Sequence, residues 1–211
     1  MQADIERAMR RPWRYWFEDG LPDLALAAVF LTVALSFYLE TLLPPGPLPS
    51  LVGVLGPLVA VLGVGRLAGW AVQRVKARMT YPRTGYVAYR REREAGRRLR
   101  KAALGAASGA LVGTLAALPA LRAWVPAMTG AIIGVAFLYG GYRLEMVRFH
   151  LLAAFSTACG TLVALARLSD SLSGAIYFAA LSLALTVSGV GALAAYLRAT
   201  EPLAEAEDHG P

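Results

Sequence analysis

Any chemistry performed by this chain must come from a thin set of side chains. One cysteine, Cys159, and two isolated histidines supply all the thiolate and imidazole in 211 residues. An intramolecular disulfide framework and a structural zinc cluster are both excluded by that count. No nucleophile stands beside a base, no carboxylates are paired, and neither a glycine-rich phosphate loop nor a metal motif is present. Arginine is what the chain has in quantity: of 21 basic residues all but Lys76 and Lys101 are Arg.

Eleven of those basic residues fall in the stretch 74–101, opposed only by Glu92 and Glu94, although the whole chain carries a net charge of +7. Tyr81, Arg83, Tyr86, Arg90 and Arg91 alternate aromatic and cationic groups around a tight turn expected at Pro82–Gly85 between short extended arms. Contact with anionic headgroups is the strongest single effect open to such a loop, at up to ~1 kcal/mol per basic residue near the surface. A second reading makes Tyr81, Arg83, Tyr86 and Arg90 a pocket for a phosphate-bearing ligand, with arginine forks and aromatic walls. Nucleic-acid binding ranks last, because no recognisable binding motif accompanies the charge. Arg66, Arg83, Arg90 and Arg91 are therefore the expected lipid or anion contacts, with Tyr81 and Tyr86 as the aromatic groups of the loop.

The elements that carry these residues follow from hydropathy. Apolar residues make up 57% of the chain, mean hydropathy is +0.51, and the charges are gathered into a few short stretches. Charge-free intervals run over 24–39, 41–65, 102–121, 123–142, 149–166 and 171–197. A helix crosses ~30 Å of hydrocarbon with ~20 mostly apolar residues. The expected fold is thus an all-α integral membrane protein, a six-transmembrane-helix bundle. Its first span is Leu21–Leu43, and its second runs from about Ser50, after the proline-rich connector 44–49, to about Gln73. The first span is long and lies behind twenty polar and aromatic residues, so it is expected to stay in the mature chain rather than be cleaved as a signal peptide.

Ahead of the first span, Ile5, Met9, Trp13 and Trp16 share a helical face while Arg7, Arg10 and Arg14 lie elsewhere. This is the pattern of an N-terminal amphipathic helix lying in the membrane interface. Three parts result: an arm over 1–20, a membrane domain over 21–198 containing the basic loop 74–101, and an acidic tail over 199–211. Arg90/Glu94 and Glu94/Arg98 at i,i+4 extend the third span on the loop side. Eighteen basic residues fall on one side of the six spans, and only Arg122 and Arg167 on the other. The positive-inside rule places both termini and the basic loop in the cytoplasm. Asparagine is absent, which fits either a heat-adapted organism or a GC-rich genome. Both point to a prokaryote, and so to a bacterial inner membrane.

Helices in lipid associate through small residues that let backbones touch. Gly105, Gly109 and Gly113 are spaced by four in the third span, Gly130 and Gly134 in the fourth, and Gly65 and Gly69 in the second. Packing within one bundle is the simpler reading, and a homodimer seam the sharper one. Ser156, Thr157, Cys159 and Thr161 form a modest polar patch in the fifth span, expected to hydrogen-bond along its own helix or to a neighbour. Ser169, Asp170, Ser171 and Ser173 read as the cap region of the sixth.

Arg66 is the one charge deep in a span, and antiparallel matching of the first two spans brings Asp23 within about one turn of its depth. An Arg66–Asp23 ion pair is the expected arrangement, since an unpaired charge there is costly. Binding of an anionic substrate or lipid by Arg66 is the alternative. Taken together, these features describe a non-enzymatic polytopic membrane protein without cofactors. It would self-associate or serve a larger membrane complex, its basic loop meeting anionic lipid or a protein partner. A small transporter or channel for a small anionic solute, built on the bundle interior and Arg66, is the alternative.

Overall fold

A computed structural model describes residues 16–44, 46–80, 114 and 118–200. The expected interfacial arm, the Tyr/Arg loop, nearly all of the third span and the acidic tail lie outside the described residues. Among the described residues there is no strand, and five helices are long and apolar enough to cross a membrane: Leu21–Leu42, Pro47–Arg78, Val125–Leu144, Val147–Leu165 and Asp170–Ala199.

The first of these, α1 (Leu21–Leu42), follows Gly20, which takes the left-handed conformation at φ 69°. A proline in the first turn fits there because that N–H has no helical partner in any case. The same tolerance corrects the expected start of the second span. Its helix α2 (Pro47–Val59) begins on Pro47, inside the proline-rich connector, and not after it at Ser50. Pro57 then removes a backbone bond within the helix. A wider π turn follows at Ala60–Val64, where the Gly65 N–H reaches back five residues to the Ala60 carbonyl. The rod continues as α3 (Gly65–Val75) and ends in a second π turn, Lys76–Thr80.

At the opposite end of the bundle the one-turn α4 (Pro119–Arg122) leads into α5 (Val125–Leu144), α6 (Val147–Leu165) and α7 (Asp170–Ala199). Two close helix pairs make up the body. In the hairpin α5–α6, Gly130 and Gly160 lie face to face. A Cβ on Gly130 would stand 2.6 Å from the Ser156 carbonyl oxygen and 3.0 Å from the Gly160 Cα. Gly134 likewise leaves room for the Thr157 hydroxyl, which a Cβ would meet at 2.5 Å. Gly130 and Gly134 thus both lie at contacts between α5 and α6.

The second pair joins the first membrane helix to the last. Where α1 begins, Gly20 abuts the Gly189 carbonyl of α7, and the Ser182 hydroxyl donates to the Ala27 carbonyl at 2.8 Å. Further along, Phe37 fills the space that Gly174 leaves and stacks on Phe178 at 6.0 Å. Tyr177, Leu181 and Leu185 of α7 form the shared core with Phe137 of α5 and Phe149 and Leu152 of α6. Tyr177 donates its phenolic proton to the Ser156 hydroxyl at 2.8 Å, because Ser156 spends its own on the Gly130 carbonyl at 2.9 Å.

The polar patch of α6 resolves in the same way. Thr157 and Thr161 hydrogen-bond to carbonyls four residues back on their own helix.

Candidate functional site

The most concentrated polar chemistry among the described residues sits at the end of the bundle where α1 and α6 begin and α3 and α7 finish. Two carboxylates and two cations converge there below the surface. Asp19 and Asp23 are 0% and 2% exposed and Lys76 is 1% exposed. Arg148 stands at the start of α6 with about a fifth of its side chain accessible.

Local sequence explains how the acids arrive. The left-handed turn at Gly20 lets the chain double back, so that an Asp19 carboxylate oxygen accepts the Leu21 N–H at 3.3 Å while Asp23 falls in the first turn of α1. Glycine is required at that turn for space as well as conformation, because the Gly189 backbone occupies the position of a Cβ. The same close approach carries Ser188 to Asp23, whose carboxylate accepts its hydroxyl at 3.1 Å.

Each acid has a cation. Lys76 Nζ lies 2.7 Å from Asp19 Oδ2, donates to the Trp16 carbonyl at 2.7 Å and sits 4.5 Å above the centre of the Trp16 ring. Arg148 lies 3.5 Å from Asp23 Oδ2 and donates to the Phe17 carbonyl. Phe17 in turn packs edge-on against Phe149 at 5.7 Å. Buried charges are tolerated when paired and hydrogen-bonded, and here they balance. The Arg148 Nε remains buried without a hydrogen-bond partner among the described residues. The cluster thus clamps the segment Trp16–Asp19 to the ends of three helices. It supplies electrostatic cohesion at this end of the bundle, and no group of three or more potential metal ligands occurs among the described residues.

This arrangement corrects the expected Arg66–Asp23 pair. Asp23 belongs to Arg148 and Ser188. Arg66 is exposed and makes no ion pair among the described residues. Gly65 lies against Val29, so Arg66 is about six residues, roughly 9 Å, farther along the bundle than Asp23. Depth matching alone placed the two within a turn, but the facing residues shift the register and turn Arg66 outward.

The remaining expected site residues divide simply. Gly130 and Gly134 are buried in the α5–α6 contact. Arg83, Arg90, Arg91, Tyr81, Tyr86, Gly105, Gly109 and Gly113 lie outside the described residues. Asp19, Lys76 and Arg148 were missed as site residues, because charges near span ends were read as markers of orientation. The available signal was the placement of Asp19 and Asp23 four residues apart around Gly20 and Pro22, just where a hydrophobic span begins. No protein-family model, curated protein or solved structure matches the chain.

Proposed function

We propose that the protein is a non-enzymatic multi-pass component of a prokaryotic cytoplasmic membrane, working as a self-associating unit or as a subunit of a larger membrane complex. The rod Pro47–Arg78 carries this reading. Only 6% of its most apolar window is buried inside the chain, and Val54, Leu58, Leu62, Leu67 and Trp70 all point outward. Leucine alone would suit lipid, but Gly69 also faces open space, with nothing within 4 Å of a Cβ placed there. Small residues in a membrane helix are the means by which another helix approaches closely.

Six spans with both termini cytoplasmic belong to the same proposal. Lys76 stands at the end of the bundle with Asp19, whereas Arg122 pairs with Asp170 at the other end. In this proposal the apolar interval 102–121, long enough to cross once, supplies the remaining span between those two ends. The basic loop over 74–101 then meets anionic lipid or a protein partner on the cytoplasmic side.

Disulfide crosslinking in native membranes tests the association. In a Cys159→Ser background, cysteines introduced one at a time at Leu58, Leu62, Leu67 and Gly69 should give a crosslinked species on one face of the rod, whereas a cysteine at Leu183 should not. A monomer at every rod position, together with a monomeric mass for the protein extracted in mild detergent and no co-purifying subunit, overturns the proposal.

A further inference from the structure

The end of the bundle opposite the ion cluster holds a cavity of about 280 Å³, lined among others by Arg122, Pro126, Val163, Arg167, Asp170 and Ser173. Arg122 and Arg167 are the only basic residues in the connectors at this end, and the fold brings both to one concavity. Arg122 is committed in part: its Nε and Nη2 both lie 2.5 Å from Asp170 Oδ2. Arg167 is exposed and makes no ion pair among the described residues. With the Asp170 carboxylate counted, the cavity carries one net positive charge.

Ser173 supplies the independent observation. The residue is 4% exposed and lines the cavity, yet its hydroxyl has no hydrogen-bond partner among the described residues. A hydroxyl inside a helix normally bonds to the carbonyl four residues back, and Thr32, Thr157, Thr161 and Thr186 all do so here. Ser173 makes no such bond among the described residues, although the Ser169 carbonyl takes its backbone N–H at 2.8 Å as in any helix. The residue is buried and its hydroxyl belongs to the cavity lining, so it is free to bond to a group held there. It lies in the first turn of the 30-residue α7, whose N-cap residue Ser169 makes no side-chain cap bond. The first-turn N–H groups and the helix dipole therefore favour negative charge at the same place.

We propose that this cavity binds a phosphate group, held by Arg167 and Arg122 with the Ser173 hydroxyl completing the contact. The single net positive charge matches a phosphodiester, as in a lipid headgroup, and a free phosphate would present the same oxygens. Arg167 ends α6 in the left-handed conformation, φ 49°, a place where glycine is the usual residue. The choice of arginine there puts a guanidinium on the rim of the cavity.

The test uses the full-length protein, delipidated in detergent, with two probes. Native mass spectrometry counts retained phosphatidylglycerol, and thermal unfolding reads inorganic phosphate. Arg167→Gln and Ser173→Val should each weaken binding of the phosphate-bearing probe about fivefold, the loss of roughly one hydrogen bond, while Arg143→Gln at the other end should not. Loss of lipid adducts without a phosphate-dependent shift assigns the site to a lipid headgroup. Loss of a phosphate-dependent shift with unchanged adducts assigns it to the free ion. If both variants retain both responses, or if Arg143→Gln reduces them equally, the proposal is overturned. Ser173→Val keeps every charge, so an effect of bulk electrostatics cannot imitate its result.

Discussion

Asp23 shows how a charge enters a membrane-length helix at acceptable cost. Its carboxylate is nearly sealed from solvent, faces Arg148 and takes the Ser188 hydroxyl. Arg148→Met should therefore cost roughly 3–5 kcal/mol, the range for breaking a buried pair and leaving one charge behind. Asp23→Leu combined with Arg148→Met should recover at least half of that loss, because an apolar pair of similar volume removes the stranded charge. Arg66→Met should shift stability by no more than about 0.5 kcal/mol, the usual effect at an exposed position. Reversible unfolding of the three variants in detergent measures all of these; a large effect at Arg66 with none at Arg148 would reverse the assignment of Asp23. At this scale the sequence was legible only by halves. The need of Asp23 for a cation could be read, but its identity could not, because Arg148 lies 125 positions away at the start of α6.

The helices themselves were readable to within a few residues, since hydrocarbon thickness and charge fix their length more firmly than any local propensity. The uncharged intervals 123–142, 149–166 and 171–197 correspond to Val125–Leu144, Val147–Leu165 and Asp170–Ala199. What hydropathy could not tell is which face of each helix meets which neighbour. Gly130 and Gly69 look alike in sequence, yet one lies against the backbone of α6 and the other faces open space. Gly130→Leu should accordingly separate α5 from α6 and lower thermal stability markedly. Overpacking typically costs 1–3 kcal/mol, and here the lost Ser156 contact adds to it. Gly69→Leu should leave the stability of the monomer within about 0.5 kcal/mol while abolishing any crosslink through the rod. Equal sensitivity at the two positions would contradict this division. The π turn after Pro57 likewise had no signature beyond the proline itself.

For the molecule as a whole, the two close pairs, α5 with α6 and α1 with α7, make a body against which the rod Pro47–Arg78 leans. The proposed six crossings, with the charge distribution, set a clear expectation for topology reporters. Tags at Arg90 and Ala204 should report the cytoplasm, and tags at Gly46, Arg122 and Arg167 the opposite side. Arg90 and Ala204 on different sides would leave an odd number of crossings and remove the basis for the proposed orientation.

The pairing of α1 with α7 also has a temporal side. A ribosome working at roughly 5–20 residues per second completes Asp23 about 6–25 seconds before it reaches Arg148, and Ser188 comes later still. Throughout that interval the first span is present without the cation that pairs with its acid or the hydroxyl that bonds to it. The early chain must then keep Asp23 at the aqueous boundary or shelter it beside the insertion machinery, and only the arrival of the final helix closes the ring. Biogenesis of this protein is thus governed from its C-terminal third: a truncation ahead of α7 would strand the very helix that entered the bilayer first.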